Sequence, residues 1–197
     1  MVRHNKKFRD IVHTAKGLFW KHGLRRVTIE EICQEANVSK MTFYKYFPNK
    51  TELAKEILNR LFEENMKKFD KLMLADIPFE EKMHQQIKLK TEGTEDISEE
   101  FVKDIYGDPD SELAGYWKMR ADGFIQKVID HYTDAQQKGW LRTDVKIDFI
   151  LYMINKTFEM VNDKALISKY DNMQELILEI NRFFLYGILP YEKQADD

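Results

Sequence analysis

Residues 28–47 read Thr28-Ile29-Glu30-Glu31-Ile32-Cys33-Gln34-Glu35-Ala36-Asn37-Val38-Ser39-Lys40-Met41-Thr42-Phe43-Tyr44-Lys45-Tyr46-Phe47, and their spacing predicts two short helices joined by a tight turn. Thr28 followed three residues later by Glu31 is a capping box, in which each residue satisfies a free N–H of the other. Ile29, Ile32, Cys33 and Ala36 then share one face. Ser39 is the natural N-cap of the next helix, which runs to about Tyr46. Between the two, Ala36 must be small because the helices approach closely there. Asn37 must enter the left-handed region, which Asn visits more readily than other non-glycine residues. Val38 plugs the space beneath both helices. This is the pattern of a helix-turn-helix. Phe43 and Phe47 point inward, so the outward face of the second helix is Ser39, Lys40, Met41, Thr42, Tyr44, Lys45 and Tyr46.

Working outward, Phe8, Ile11, Val12, Ala15, Leu18 and Phe19 recur at helical spacing and predict a first helix over about Arg3–His22, closed by Gly23. Pro48-Asn49 breaks the chain, and Asn49 caps a long fourth helix reaching about Leu74. Further helices are expected over 79–91 and 97–106, from Asp108-Pro109 to Gly139, and over 146–167 and 171–189. No window alternates with period two, so strands are not expected. The fold class is all-α, an N-terminal three-helix helix-turn-helix domain over 1–50 and a larger C-terminal helical domain over 51–197.

The net charge of −3 conceals an asymmetry. Residues 1–50 hold eleven Lys and Arg against four acids, whereas the remainder holds 20 basic and 30 acidic residues. A basic head on an acidic body points the head toward a polyanion. No stretch approaches the roughly 20 apolar residues of a membrane span, and no secretory signal is read at the N-terminus. The single cysteine, Cys33, sits in an apolar helical position and suits a reducing, cytoplasmic setting as a small buried hydrophobe. Five scattered His residues and the lack of HExxH, GxSxG or phosphate-loop patterns give no enzyme signature. No metal or cofactor is expected.

Ala15-x-x-Leu18-Phe19-x-x-x-Gly23, Thr28-x-x-x-Ile32, Ala36-Asn37-Val38-Ser39 and Thr42-Phe43-Tyr44-x-Tyr46-Phe47-x-x-Lys50-x-x-Leu53 together resemble the TetR (tetracycline-repressor) family over roughly residues 8–55. Asn37 stands where that family usually has glycine. The resemblance implies a dimeric regulator that reads double-stranded DNA at a palindromic operator. It implies that Thr28 meets a phosphate, that Lys40, Met41 and Thr42 face base edges, with Ser39 beside them, and that Tyr44, Lys45, Tyr46 and Lys50 contact the DNA backbone, a base contact from Tyr44 staying open. A second reading stays open for Tyr44 and Tyr46, as packing between helices, and for Met41, as a spectator.

Beyond the head the resemblance implies an effector pocket and a homodimer interface formed by the last two long helices. Both helices are apolar on more than one face. Candidate interface residues are Met153, Thr157 and Met160 on one and Ile177, Ile180, Phe184 and Gly187 on the other. Candidate ligand residues are Trp117, Arg120, Phe124, Tyr152, Asn155, Phe158 and Glu159, where polar groups interrupt aromatic faces in a way that suits an apolar or aromatic small-molecule effector. Such an effector would favour a dimer whose recognition helices no longer match successive major grooves about 34 Å apart, so a repressor would be released. An architectural DNA-binding protein without an effector is the alternative reading.

Overall fold

The computed structural model describes residues 6–108 and 110–190, without the side chain of residue 158. Among these residues there are ten helices and no strand. They are α1 (Lys6–His22), α2 (Ile29–Glu35), α3 (Lys40–Tyr46), α4 (Lys50–Met73), α5 (Phe79–Gly93), α6 (Glu99–Tyr106), α7 (Glu112–Gln137), α8 (Ile147–Met160), α9 (Lys164–Ile167) and α10 (Met173–Ile188). None is long and apolar enough to cross a membrane. The all-α expectation is met. Two compact units emerge, residues up to Glu64 with Asp96–Arg120, and Asn65–Glu95 with Ala121 onward, the division passing through α4 and α7.

In the first unit α1 packs against α2, α3 and α6. Its core contains Ile11, Ala15, Ile32, Phe43 and Leu53, each without exposed surface, together with Phe8, Phe19, Phe47, Phe101, Ile105 and Leu113. Each large apolar side chain sealed in this way contributes about 2 kcal/mol relative to exposure. The left-handed positions fall at Gly23 (φ +80°) and Asn37 (φ +52°), as their residue types anticipate. At Gly23 a Cβ would stand 2.9 Å from the Glu100 Cβ and from the Asp104 carboxylate, so α6 closes against this turn and glycine is needed for space as well as for φ. Ser98 holds the same region, donating from its backbone N–H and its hydroxyl to the Trp20 carbonyl at 3.0 and 2.8 Å.

In the second unit α10 packs against α5 and α8. Phe69, Met83, Tyr132, Leu141, Ile150 and Leu185 are among the residues of its core. Lys82 is buried, its Nζ donating to the Met73 carbonyl at 2.6 Å, so a cation closes the C-terminal end of α4 where carbonyls have no helical partner.

Two boundaries differ from the sequence reading. The long helix expected to open at Asp108-Pro109 opens at Glu112 instead, because Ser111 is its cap, Oγ accepting from the Ala114 N–H at 3.1 Å. Asp108 accepts from the Asp110 N–H in a local turn, and Pro109 lies outside the described residues. The single helix expected over 146–167 is two, because Asp163 accepts from the N–H groups of Ala165 and Leu166 and starts α9 afresh. The expected start at Arg3 lies outside the described residues, which open with α1 at Lys6.

Candidate nucleic-acid interface

The helix-turn-helix is held by its own backbone and caps. Thr28 Oγ1 accepts from the Glu31 N–H at 3.1 Å, and the Glu31 carboxylate accepts from the Thr28 N–H at 3.3 Å, which is the capping box that the sequence announces. The turn closes through Ala36 N–H to Ile32, Asn37 N–H to Gln34 and Val38 N–H to Cys33 carbonyls. Ser39 Oγ accepts from the Thr42 N–H at 3.1 Å and lies 3.0 Å from Thr42 Oγ1, so the two hydroxyls share a hydrogen bond. With these groups satisfied, α3 is fixed at both its N-terminus and its inner face, where Phe43 and Phe47 are buried.

The outward face of α3 carries Met41, 82% exposed, and Tyr44, 53% exposed, beside exposed Lys40 and Lys45. An exposed methionine next to an exposed tyrosine is costly to keep in water without a partner, and both suit the edges of bases. Tyr46 is half-buried and meets Phe8 edge-to-face at 5.5 Å. Thr42 is half-buried, whereas Thr28 and Ser39 are exposed.

Two lysines are engaged within the chain. Lys40 forms an ion pair with Glu30, which lowers the Glu30 carboxyl and raises the Lys40 ammonium from their ordinary pKa values, chiefly through that hydrogen bond. Lys50 is half-buried, its Nζ donating to the Val27 carbonyl at 2.6 Å and the Arg25 carbonyl at 3.3 Å. Burial pulls this ammonium below the usual lysine value, and the Asp104 carboxylate opposes that shift. The lysine expected to reach the DNA backbone thus fastens the turn that precedes Thr28. Arg25 pairs with Asp104 at 3.2 Å, and its backbone N–H donates to the same carboxylate at 3.0 Å. Glu30 lies within the helix-turn-helix stretch but was not among the expected site residues, and Asp104 lies outside the stretch altogether. Each lies far in sequence from its basic partner, and no local spacing announces such pairs.

The candidate ligand residues divide between the units. Trp117 and Arg120 belong to the first, where Trp117 stands 4.7 Å from the Phe62 ring and Arg120 lies over that ring at 5.8 Å. In the second, Phe124 meets Phe69 edge-to-face at 5.3 Å. Tyr152, Asn155 and Glu159 are exposed on α8, and Glu159 is paired with Lys156 at 2.7 Å. The side chain of Phe158 lies outside the described residues. A cavity of about 280 Å³ is lined by Phe79, Glu80, Trp140, Leu189 and Pro190, none of which was among the expected ligand residues. Among the described residues no group of three His, Cys, Asp or Glu is placed to hold a metal ion.

Of the candidate interface residues, Ile177 and Ile180 are buried in the chain's own core, and Met153, Thr157 and Phe184 are half-buried. Met160 and Gly187 are exposed. The residues that stand out on α10 are Phe183, 79% exposed, and Tyr186, 48% exposed. On α8 they are Phe149 and Tyr152, stacked at 6.4 Å. Periodicity alone could not sort these from Ile177 and Ile180, since every one is apolar at helical spacing.

Residues 11–57 match the family described as bacterial regulatory proteins, tetR family. Over 77 residues the chain is 35% identical to the uncharacterized HTH-type transcriptional regulator YhgD of Bacillus subtilis (strain 168), a stretch covering 39% of this chain and 40% of that one. The chain matches less than half the length of the curated relatives it resembles. Its fold is that of the regulatory protein TetR from Rhodobacter sphaeroides (TM-score 0.74, 15% identity, 94% of this chain and 100% of that one). It is also that of the fatty acid degradation regulator FadR from Bacillus halodurans (TM-score 0.73, 16% identity, 94% and 97%). Residues 11–57 are thus similar to the N-terminal part of the tetR family of bacterial regulatory proteins, and the all-helical fold is shared with the TetR protein of Rhodobacter sphaeroides.

Proposed function

We propose that the chain is a transcriptional regulator that binds a palindromic operator as a homodimer in the cytoplasm and leaves it on binding a small apolar or aromatic effector, acting as a repressor. The observation that carries this reading is the outward face of α3. It is rigidly capped and set by a left-handed Asn37, and it offers Lys40, Met41, Tyr44 and Lys45 to solvent from a basic N-terminal segment. A capped helix of this kind presents side chains in one fixed arrangement, which sequence-specific readout in a major groove requires. Residues 1–50 take the DNA-binding role and 51–197 the effector and dimerisation roles.

The homodimer reading is supported by Phe149, Tyr152 and Met160 on α8 with Phe183 and Tyr186 on α10, two helices that pack together. Two copies meeting through such a pair make a four-helix interface, which is self-complementary about a two-fold axis. Coupling to the head has a physical route in the first unit, because α6 closes on the turn before Thr28 through Gly23, Arg25–Asp104 and Ser98–Trp20. A displacement of α6 would reposition the turn that Lys50 also fastens. By thermodynamic linkage, DNA must weaken effector binding by the factor by which effector weakens DNA binding.

Footprinting of the purified protein at low salt on the DNA upstream of its own and neighbouring genes tests the reading. Protection of an inverted repeat is expected, and the reading fails if no segment is protected.

A further inference from the structure

Arg120 on α7 has a polar atom that the chain leaves without a partner. Its Nε is buried and makes no hydrogen bond, alone in this among the side-chain N and O atoms of the described residues. The residue as a whole is only half-buried, so it is this one N–H, and not the entire guanidinium, that is held from water without an acceptor. A buried donor without an acceptor is unfavourable, and more so on a charged group.

The surroundings of the guanidinium are aromatic. It lies over the Phe62 ring at 5.8 Å, Trp117 stands 4.7 Å from that ring, and Tyr106 meets Trp117 edge-to-face at 5.5 Å. Burial raises the Tyr106 hydroxyl above its ordinary value, and Trp117 hydrogen-bonds to it, so that hydroxyl is neutral and engaged. One turn to either side of Arg120 along α7 stand Tyr116, Trp117, Gly123 and Phe124, and none of them carries a carboxylate. The cation–π contact offsets part of the charge but offers nothing along the Nε–H direction.

We propose that Arg120 recognises an anionic effector, a carboxylate carried on an apolar or aromatic body, with Phe62 and Trp117 against the body and the guanidinium donating to the carboxylate. The proposal rests on the effector-responsive reading above and narrows it from an apolar ligand to an amphipathic acid. Arg is suited to the task because its planar fork matches the two carboxylate oxygens.

The test uses the full chain and two probe pairs, phenylacetate against phenylacetamide and decanoate against decanamide. Thermal stability is followed, as is release from a duplex recovered by binding-site selection. Each acid is expected to bind about tenfold or more tightly than its amide, the factor expected of a charge-assisted hydrogen bond. In Arg120→Met the acid preference is lost, while the ligand-free variant melts at or above the wild-type temperature because the buried, unpartnered Nε–H is gone. Equal binding of acid and amide, no binding of either acid, survival of the preference in Arg120→Met, or a marked fall in that variant's melting temperature would each overturn the proposal. Duplex binding without any probe is read in the same assay. Its absence fails the regulator reading, whereas intact duplex binding without an acid preference fails the Arg120 assignment alone.

Discussion

The outward face of α3 and the outward faces of α8 and α10 both leave large side chains in water, yet they are built in opposite ways. Around α3 the polar groups are committed locally, Ser39 to Thr42, Thr28 to Glu31, Lys40 to Glu30 and Lys50 to the carbonyls of Val27 and Arg25. On α8 and α10 the large exposed side chains are rings, Phe149, Tyr152, Phe183 and Tyr186, set among exposed polar residues such as Asn155, Glu159 and Arg182. The first surface is fixed in shape and varied in chemistry, which suits reading base edges. The second sets exposed rings along two helices, which suits a second copy of itself.

Phe183→Glu attacks the second surface and is expected to have the largest effect. Two phenyl groups are lost per dimer, each worth about 2 kcal/mol, so dimer dissociation should strengthen about a thousandfold. Light scattering behind a sizing column should then find monomers at micromolar concentration and weakened binding to a palindrome. An unchanged dimer mass would remove α10 from the interface.

Gly23→Ala attacks the frame of the first surface. The new methyl group meets α6 at 2.9 Å and occupies a left-handed φ, so a loss of about 1–3 kcal/mol and a melting temperature several degrees lower are expected. A variant as stable as wild type would mean that α6 does not constrain the turn.

Lys45→Ala and Lys50→Met separate phosphate contact from positioning. Lys45 is exposed, and its loss should shallow the slope of log K against log salt by about one unit. Lys50→Met should weaken binding to all duplexes with the slope unchanged, because its ammonium already serves two carbonyls. Equal slope changes in the two variants would return Lys50 to the DNA backbone. Thr42→Ala should relax sequence preference with little effect on the slope.

The smallest effect is expected at Cys33. Buried at 5% exposure, with its thiol pushed up chiefly by burial, it should react slowly with a thiol reagent at pH 8 in the native protein and promptly in denaturant. Rapid native labelling would show that the α2 core opens readily.

The same contrast explains how much was legible beforehand. The head announces itself because its constraints are local. Thr28 with Glu31, Ser39 and Asn37 each answer to neighbours within a few residues, as does the left-handed φ of Gly23, and the structure places each as its residue type requires. The start of α7 and the break before α9 depart from the sequence pattern because Ser111 and Asp163 compete as caps with Asp108-Pro109 and with a continuous apolar run. Lys40–Glu30 and Arg25–Asp104 join residues distant in sequence, and no periodicity encodes them. Ile177 and Phe183 read alike along α10, and only folding buries the first and exposes the second.

The central claim is that the α3 face reads duplex DNA. Selection of a duplex from a random pool, followed by titration of its affinity against salt, tests it most directly. An inverted repeat is expected, bound with log K falling linearly in log salt at a slope reporting several phosphate contacts. Failure to enrich any sequence, or an affinity indifferent to both salt and sequence, would contradict it.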